Sequence, residues 1–405
     1  MPTTSAPTSA QAPFARSGKR LRVGVAGLGV AANQILPAFK GESDFELVAG
    51  ADTRAEAREE FTKRYDRAAV SSVNELVKRD DIDAVWISTP NTRHAEHVVV
   101  AANAGKHVIC EKPMAVTLRQ CDRMLEAVDA NKVLYLQGHS KIFQAPMKMM
   151  RDIIKSGRLG RVVQIQSCNF NDWLQRPRLA PELDTKQGGG IVYRQGPHII
   201  DIVRFLGGGM VDSILGVSGR ADPHFDTEGH FSAMLQFANG PVATLCFNGY
   251  GYFDVTELTW DIGEGGFVQS GGRRFPRGPR LTGPADAEKK SAVAEQRSIK
   301  PEERKVEVAH QPFFGLTIVT CERGAIRQSP DGIYVYTEDG REEVLCPPRG
   351  GRDDELRELA DAIEKRRPAF PDGRWGKATL ETCLAIMASS KDGRKRKLRY
   401  QVPSP

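Results

Sequence analysis

The stretch LRVGVAGLGVAANQILPAF, Leu21–Phe39, decides the fold. Its first part, Leu21–Ala26, is a short run of apolar residues and predicts a buried strand. Gly27, Gly29 and Ala32 then spell G-x-G-x-x-A. This pattern carries weight because it follows a predicted strand and precedes a predicted helix, which is the setting of a dinucleotide-binding turn.

A turn of this kind predicts a nucleotide site because glycines let the backbone approach a pyrophosphate and the helix N-terminus supplies N–H groups. The helix is predicted from about Val30 to Pro37, and Val30 and Ala31 are candidate cofactor contacts. Asp52 ends the next predicted strand, where a carboxylate binds the adenosine ribose and repels a 2′-phosphate. NAD is therefore favoured, although Arg54 could pair with the phosphate of NADP. A tight turn without a cofactor is the alternative.

Strand and helix patterns alternate through residues 21–145 and predict a doubly wound parallel sheet, a Rossmann domain. One of its helices is predicted to begin with a capping box formed by Thr117 and Gln120. After about residue 150 short predicted strands dominate, DVTELTWDI among them, and the turn signal Asp339–Gly340 is typical of a hairpin. Residues 146–392 are therefore predicted to form a second domain with an antiparallel sheet.

Two tails are predicted to flank these domains, and a surface insertion is predicted within the second domain. Residues 1–20 are rich in Ser, Thr, Ala and Pro and predict a disordered tail, with an organelle transit peptide as the alternative. Residues 271–309 are charged and rich in Pro and Gly, which predicts a surface insertion or partly disordered loop. Residues 393–405 form a basic tail, interpreted as a solvated end, with a nucleic-acid or membrane contact as the alternative.

The composition limits the classes of function. The net charge of +6 comes from 57 basic and 51 acidic residues, an imbalance that suits an anionic small molecule and does not require nucleic acid. Seven cysteines without a CxxC pair indicate reduced thiols, a cytoplasmic protein and no zinc site. No apolar run reaches the ~20 residues that cross a membrane. We expect a metal-independent protein that binds a small molecule.

The segment CEKPMAV, Cys110–Val116, contains the first candidate catalytic residue. Lys112 lies at the C-terminal end of the fourth predicted strand, where open α/β sheets bind ligands. Burial beside a cationic nicotinamide lowers the pKa of a lysine from about 10.4 toward roughly 7–8, so its amine can take the proton of an alcohol. A solvated surface charge is the alternative. Further candidate cofactor contacts are Thr89, Pro90, Asn91, His94 and Glu111.

Taken in order, GVAGLGVAA, STPNTRHAEHV, GKHVICEKPMAV and GGGIVYRQGPHIIDIVRFLGG resemble the glucose–fructose oxidoreductase/inositol dehydrogenase family (Gfo/Idh/MocA-type). The resemblance covers roughly residues 21–390. It implies a Rossmann domain followed by an open-faced antiparallel sheet that mediates homodimers or homotetramers. It also implies hydride transfer between a secondary alcohol and NAD(P). The family's catalytic lysine corresponds to Lys112 and its histidine to His198.

One position departs from the family pattern: Arg194 stands where an Asp commonly precedes the histidine by four residues. Arginine cannot act as a base, but it can hold a carboxylate through two parallel hydrogen bonds. Arg176 and Arg178 lie shortly before, and Trp173 offers a flat apolar wall. We expect this pocket to take a planar or near-planar dicarboxylate. The alternative is that the arginines pair with internal carboxylates: Glu182, Asp184 or Asp201.

The segments NDWLQRPR, QGGGIVYRQGPH, FFGLTIVTCERGAIRQSPDGIYVY and GRWGKATLE resemble a subgroup of this family, the phthalate 4,5-cis-dihydrodiol (4,5-dihydroxyphthalate) dehydrogenases. The resemblance implies NAD(P)+-dependent oxidation of a cis-dihydrodiol to a catechol. Lys112 would take the hydroxyl proton, with His198 in relay or orientation. His139 either faces the nicotinamide or has a packing role. The alternatives are a sugar, inositol or uronate dehydrogenase and a non-catalytic dinucleotide-binding sensor.

Overall fold

The computed structural model describes residues 20–39, 44–269, 284–300, 309–347 and 352–405. The predicted N-terminal tail and two parts of the predicted insertion, 271–283 and 301–308, lie outside these residues. No helix within the described ranges is long and apolar enough to cross a membrane.

The first half of the chain is a parallel sheet of six strands with helices between them. Its strands are β1 Leu21–Ala26, β2 Phe45–Ala51, β3 Ala68–Val70, β4 Ala84–Ile87, β5 His107–Glu111 and β6 Tyr135–Gly138. Its helices are α1 Ala32–Ile35, α2 Ala55–Tyr65, α3 Val73–Val77, α4 His94–Asn103 and α5 Leu118–Ala130. The strand order is β3-β2-β1-β4-β5-β6. The chain adds strands on one side of β1 first and then, from β4 on, on the other side, and this switch leaves a ligand crevice at the carboxyl ends of β1 and β4. The predicted doubly wound parallel sheet is confirmed.

Local sequence explains most of these elements. β4 is buried at all of its residues, as expected of a central parallel strand. The capping box of α5 is confirmed, because Thr117 accepts from Gln120 N while Gln120 accepts from the backbone of Thr117. β3 was not predicted, because its Ala-rich sequence has little strand propensity. α1 is shorter than predicted: a 3-10 turn that contains Pro37 follows Ile35.

The second half of the chain is built on a nine-stranded sheet. Its strands are β7 Val162–Phe170, β8 Val211–Gly219, β9 His230–Phe237, β10 Val242–Asn248, β11 Leu316–Cys321, β12 Gly324–Gln328, β13 Gly332–Thr337, β14 Gly340–Leu345 and β15 Arg396–Lys397. The helices are α6 Ala145–Ser156, α7 Gly190–Arg194, α8 Gly196–Gly207, α9 Pro284–Ile299, α10 Asp353–Glu364 and α11 Gly373–Asp392. The order is β14-β13-β12-β11-β7-β10-β9-β8-β15, antiparallel except between β7 and β10. α8 and α11 pack on one face, and the other face, which we call the open sheet face, exposes Leu215, Val217 and Met234 within the described part of the chain.

Three predictions about this half are corrected. The segment DVTELTWDI was predicted as a strand, but it contains a 3-10 turn, Val255–Leu258, which Asp254 caps. The insertion is not only a loop, because α9 lies within it. The basic tail is not merely solvated: β15 pairs with β8, and Glu381 accepts from the backbone N–H groups of Arg399 and Tyr400.

Candidate active site

The glycine-rich turn after β1 has the shape that a dinucleotide site requires. Gly27 has φ +87°, and a Cβ there would lie 2.8 Å from the backbone of Ser88 and Thr89, so only glycine fits. Beside Gly29 a Cβ would meet nothing nearer than Arg54 Nη2 at 3.9 Å, so the backbone there faces open space. Val30 is 48% exposed and borders this space. The cradle fits a pyrophosphate approached by backbone.

Asp52, at the end of β2, is held by four hydrogen bonds. Its carboxylate accepts from Leu28 N, from Arg54 N and from two guanidinium nitrogens of Arg54, at 2.9–3.0 Å. Burial alone would raise the pKa of Asp52, but the hydrogen bonds from Arg54 and Leu28 hold that pKa below its usual value. Because Arg54 is engaged with Asp52, it does not lie free to receive a 2′-phosphate.

The end of β4 is tied to the lysine loop through His94. His94 Nε2 lies 2.8 Å from the carbonyl oxygen of Thr89, and Nδ1 lies 2.8 Å from that of Pro113. The ring is 1% exposed, and burial lowers its pKa. His94 was predicted near the cofactor; its ring nitrogens are occupied by the protein, so it positions two loops. Pro90 is exposed between them.

Asn91 joins the nucleotide half to the glycine-rich segment of the second half. Its Nδ2 donates to Gly188 O at 2.8 Å, and its Oδ1 accepts from Arg194 Nη1 at 3.1 Å. Gly188 has φ +75°, and a Cβ there would lie 2.5 Å from Val116 Cγ1. The first of the three glycines is therefore required by the close approach of the two halves.

Lys112 lies at this junction, directly after β5. Its Nζ donates to the backbone oxygen of Arg194 at 2.9 Å. Burial lowers the pKa of Lys112 to about 7, and the positive charge of Arg194 acts in the same direction. An amine with this pKa exchanges a proton near neutrality, as a general base or acid must.

His198, on α8, is the second predicted catalytic residue. Burial lowers its pKa well below the usual value, and the positive charges of Lys112 and Lys141 lower it further. The ring is thus a neutral imidazole. Its Nδ1 is buried without a partner among the described residues, and the ring packs edge-on against Phe314 with centroids 4.9 Å apart.

His139, just after β6, is 2% exposed. Neither ring nitrogen has a hydrogen-bond partner within the described part of the chain. Burial lowers its pKa to about 3, with Arg204 and Lys112 contributing. An unpaired polar group in the interior costs free energy. A ring with two open hydrogen-bonding positions near Lys112 fits a residue that meets a ligand.

Lys141 was not predicted as a site residue. Its Nζ lies 5.0 Å from the centroid of Phe314, the ring that packs on His198, and 3.5 Å from Glu264 Oε2. Its side chain is only 12% exposed. The sequence held a signal for it, since Lys141 follows His139 closely at the carboxyl end of a predicted parallel strand, where ligands bind.

The expectation that three arginines and Trp173 present free surfaces to a substrate is corrected. Arg194 Nη2 lies 2.7 Å from Glu182 Oε1, and Arg176 Nε lies 2.6 Å from Asp172 Oδ1. Arg178 lies 4.3 Å above the Trp173 ring, whose residue is only 2% exposed. Trp173 is therefore part of the core. The alternative, in which the arginines pair with internal carboxylates, is confirmed for Glu182, which binds Arg194. Asp172, which binds Arg176, was not among the predicted carboxylates.

The pairing leaves positive charge behind. Glu182 Oε1 also lies 3.7 Å from Arg178 Nη1, so one carboxylate serves two guanidinium groups. Burial alone would raise the pKa of Glu182, but the charges of Arg194 and Arg178 lower it, so the carboxylate stays ionised. The cluster Arg178–Glu182–Arg194 therefore carries two positive charges and one negative charge.

Glu111, the residue before Lys112, is held by a partner that the sequence did not reveal. Arg352 pairs with both Glu111 and Glu355, with Glu355 Oε2 at 2.7 Å from Arg352 Nη1. The guanidinium of Arg352 lies 5.4 Å from the Trp86 ring centroid. Glu111 is thus paired within the protein, and this pairing orients the lysine loop. Arg352 lies far along the chain, just before α10, and carries no local motif.

Comparison with known proteins agrees with this geometry. Residues 21–139 match the GFO/IDH/MocA oxidoreductase family with an NAD-binding Rossmann fold, and residues 147–259 match the GFO/IDH/MocA C-terminal domain. The chain belongs to the GFO/IDH/MocA family. It is an NAD-binding oxidoreductase. The predicted family, enzyme class and cofactor NAD are confirmed.

Individual relatives extend over nearly the whole chain. The 1-carboxy-3-chloro-3,4-dihydroxycyclohexa-1,5-diene dehydrogenase of Comamonas testosteroni is 35% identical over 377 residues, 92% of this chain and 95% of that protein. A solved structure from Bordetella bronchiseptica has a TM-score of 0.87 at 35% identity and covers 93% of this chain and 100% of its own. An oxidoreductase from Agrobacterium radiobacter with NAD+, L-tartaric acid and magnesium shares the fold, with a TM-score of 0.70, 16% identity and coverage of 94% and 98%.

The pKa of Lys112 leads to a prediction about pH. In the direction of alcohol oxidation, kcat/KM should rise with pH through about 7 and then level off, because only the neutral amine takes a proton.

Lys112→Met should lower kcat by about 100-fold or more and still bind NADH. Steady-state kinetics and NADH fluorescence titration measure both. The exposed Lys155→Met is the matched control, and near-normal turnover of Lys112→Met would remove the lysine from the reaction.

Proposed function

We propose that the protein oxidises a carboxylate-bearing cyclohexadiene cis-dihydrodiol, or a closely related carboxylated alcohol, with NAD+. The observation that carries this proposal is the surplus cation of Arg178–Glu182–Arg194, directly beside Lys112. A neutral sugar gains no net charge–charge attraction from that cation, whereas a carboxylate is attracted by it. The name of the Comamonas testosteroni relative contains both a carboxyl group and a cyclohexadiene diol. Oxidation of phthalate 4,5-cis-dihydrodiol to 4,5-dihydroxyphthalate is the most specific form of the proposal.

Bound NAD+ supplies the acceptor for the hydride that leaves the substrate carbon. The amine of Lys112 takes the proton of the hydroxyl on that carbon, so the carbon becomes a carbonyl and both hydrogens are accounted for. In a cyclohexadiene diol the product then becomes aromatic by tautomerisation to a catechol, which favours the oxidation. The backbone oxygen of Arg194 holds Nζ in place, and the neutral rings of His198 and His139 orient the hydroxyl groups.

The guanidinium of Arg194 is not free to bind a substrate carboxylate alone. It is fixed by Asn91 and Glu182, so a substrate carboxylate must share it with Glu182. The fixed position suits orientation of a ring whose reacting carbon must face Lys112. Arg178 adds positive charge through its own contact with Glu182. Arg176 is paired with Asp172.

A substrate screen tests the proposed function. We expect kcat/KM for a carboxylated cyclohexadiene cis-diol to exceed that of the uncarboxylated diol by about 100-fold, with NAD+ preferred to NADP+. Absorbance of NADH at saturating cofactor gives the rates. Faster turnover of inositol, a neutral sugar or a uronate would identify a sugar dehydrogenase, and tight NAD+ binding without turnover of any alcohol would identify a sensor.

Lys141 is the second candidate for carboxylate recognition. Its ion pair with Glu264 is long, at 3.5 Å, and the side chain of Glu264 is 42% exposed, so the pair is weak. The ammonium group lies above Phe314, on the same wall as His198. A substrate ring whose diol faces His198 would have its carboxylate on the side of Lys141, because both side chains pack on the buried ring of Phe314.

Lys141→Met should raise KM for the carboxylated diol about tenfold, because a charge-assisted hydrogen bond contributes about 1.5–3 kcal/mol. KM for the uncarboxylated diol should stay within twofold, since methionine keeps the apolar stem over Phe314. Lys155→Met serves as the control. An equal rise of KM for both diols would show that Lys141 shapes the pocket and does not bind the carboxylate.

We also propose that the open sheet face joins copies of this chain, as a homodimer or homotetramer of a cytoplasmic enzyme. Leu215, Val217 and Met234 are exposed on adjacent strands, and β8 and β9 pair in register Leu215↔Met234. Cys168 and Cys246 lie side by side on the neighbouring strands. Exposed apolar patches of this kind mark interaction surfaces, and the resemblance to the family supports a second copy as the occupant.

Replacing Val217 and Met234 together by Glu should reduce the assembly to a smaller species, because like charges would face each other across a two-fold interface. Light scattering coupled to size-exclusion chromatography measures the mass. Leu258→Glu, at an exposed apolar residue in a 3-10 turn outside the strands of the sheet, should leave the mass unchanged. A monomeric wild type would contradict the proposed interface.

A further inference from the structure

Helix α9, Pro284–Ile299, contacts both elements that flank the adenosine end of the dinucleotide site. Ser298 Oγ accepts from Arg54 Nη1 at 2.7 Å, and Ser298 O accepts from Asn33 Nδ2 at 3.2 Å. Asn33 lies in α1, directly after the glycine-rich turn, and Arg54 is the residue that holds Asp52. Ser298 therefore lies where the two walls of the ribose and pyrophosphate site meet.

Helix α9 also contacts the second half of the chain. Lys290 Nζ donates to Gln175 O at 2.7 Å, in the loop that contains Trp173. Lys290 and Ser298 are eight residues apart, so they lie on one face of the helix, about 12 Å from each other. The helix thus contacts both halves of the chain, the nucleotide half through Ser298 near its C-terminal end and the substrate half through Lys290 near its middle.

The sequence of α9 explains how it lies so close and why it is weakly held. Its inner face carries Ala294, 5% exposed, and Ser298, 1% exposed. Small side chains allow a close approach, but they remove little apolar surface from water. Ala287 and Ile299 also pack against the core while partly buried, so the hydrogen bonds of Lys290 and Ser298 add to a modest apolar contact, and such an element opens more readily than the core.

The helix covers the site and does not fill it. Ser298 contacts Arg54 and Asn33, while beside Gly29 the nearest atom of the described residues, apart from its chain neighbours, is Arg54 Nη2 at 3.9 Å from a Cβ placed there. Val30, at the same turn, is 48% exposed. A dinucleotide can therefore lie on the turn beneath α9 with the helix in place.

We propose that α9 is a clamp over the adenosine half of the dinucleotide site, with Ser298 as a positioning residue that keeps Arg54 on Asp52. Cofactor exchange then requires release of both attachments, at Ser298 and at Lys290. The clamp acts on the cofactor alone, so it holds whichever alcohol is the substrate.

The dissociation rate of NADH tests the clamp and needs no substrate. NADH bound to the full-length protein is displaced by excess NAD+ in a stopped-flow fluorimeter. We expect Ser298→Ala and Lys290→Met each to raise koff about threefold to tenfold, with a smaller change in kon. Lys290→Arg keeps a donor and should restore most of the slow release. The exposed Lys289→Met, on the same helix, is the matched control and should behave as the wild type.

The Lys290 variants are decisive because the described hydrogen bond of Lys290 goes to Gln175 in the second half of the chain and not to Asn33 or Arg54. A faster koff for Ser298→Ala alone would reduce Ser298 to a local partner of Arg54 and overturn the clamp. An unchanged koff in both variants, or slower release, would also overturn it, the latter by showing that α9 competes with the cofactor. Thermal unfolding of each variant confirms that the fold is retained.

Discussion

The hydrogen bond from Lys112 Nζ to the backbone oxygen of Arg194 is the interaction on which the site depends. It joins the end of a Rossmann strand to the glycine-rich segment of the second half. It also buries the amine, and burial brings the pKa of Lys112 to about 7. The same contact thus sets both the position of the Lys112 amine and its proton affinity. A lysine that was free to reach water would keep its proton at neutral pH.

Several polar contacts keep that junction closed. Asn91 binds Gly188 and Arg194 together, and His94 holds the loop of Thr89 against the loop that follows Lys112. These residues were predicted as cofactor contacts, because they follow parallel strands at their carboxyl ends. Their side chains instead bond to the protein. Sequence position identified the correct edge of the sheet but could not separate residues that touch a ligand from those that orient the loops.

The local part of the structure was accessible from sequence, and the part that depends on distant partners was not. The turn at Gly27 follows from residues that are adjacent in the chain. The guanidinium of Arg194, by contrast, was expected to be free, and only the folded chain shows that Glu182 occupies it. Arg352 lies far from Glu111 in sequence, so no pattern could pair them. α9 was hidden because its segment is charged and poor in apolar residues.

The shared carboxylate of Glu182 compensates half of the positive charge of Arg178 and Arg194. The empty site therefore carries less unpaired charge than two guanidinium groups without a counterion would. For the carboxylated diol proposed above, the substrate carboxylate would enter by exchange, taking part of the coordination that Glu182 gives up. Such exchange would disfavour neutral molecules and would leave the complex loose enough for a carboxylated product to dissociate.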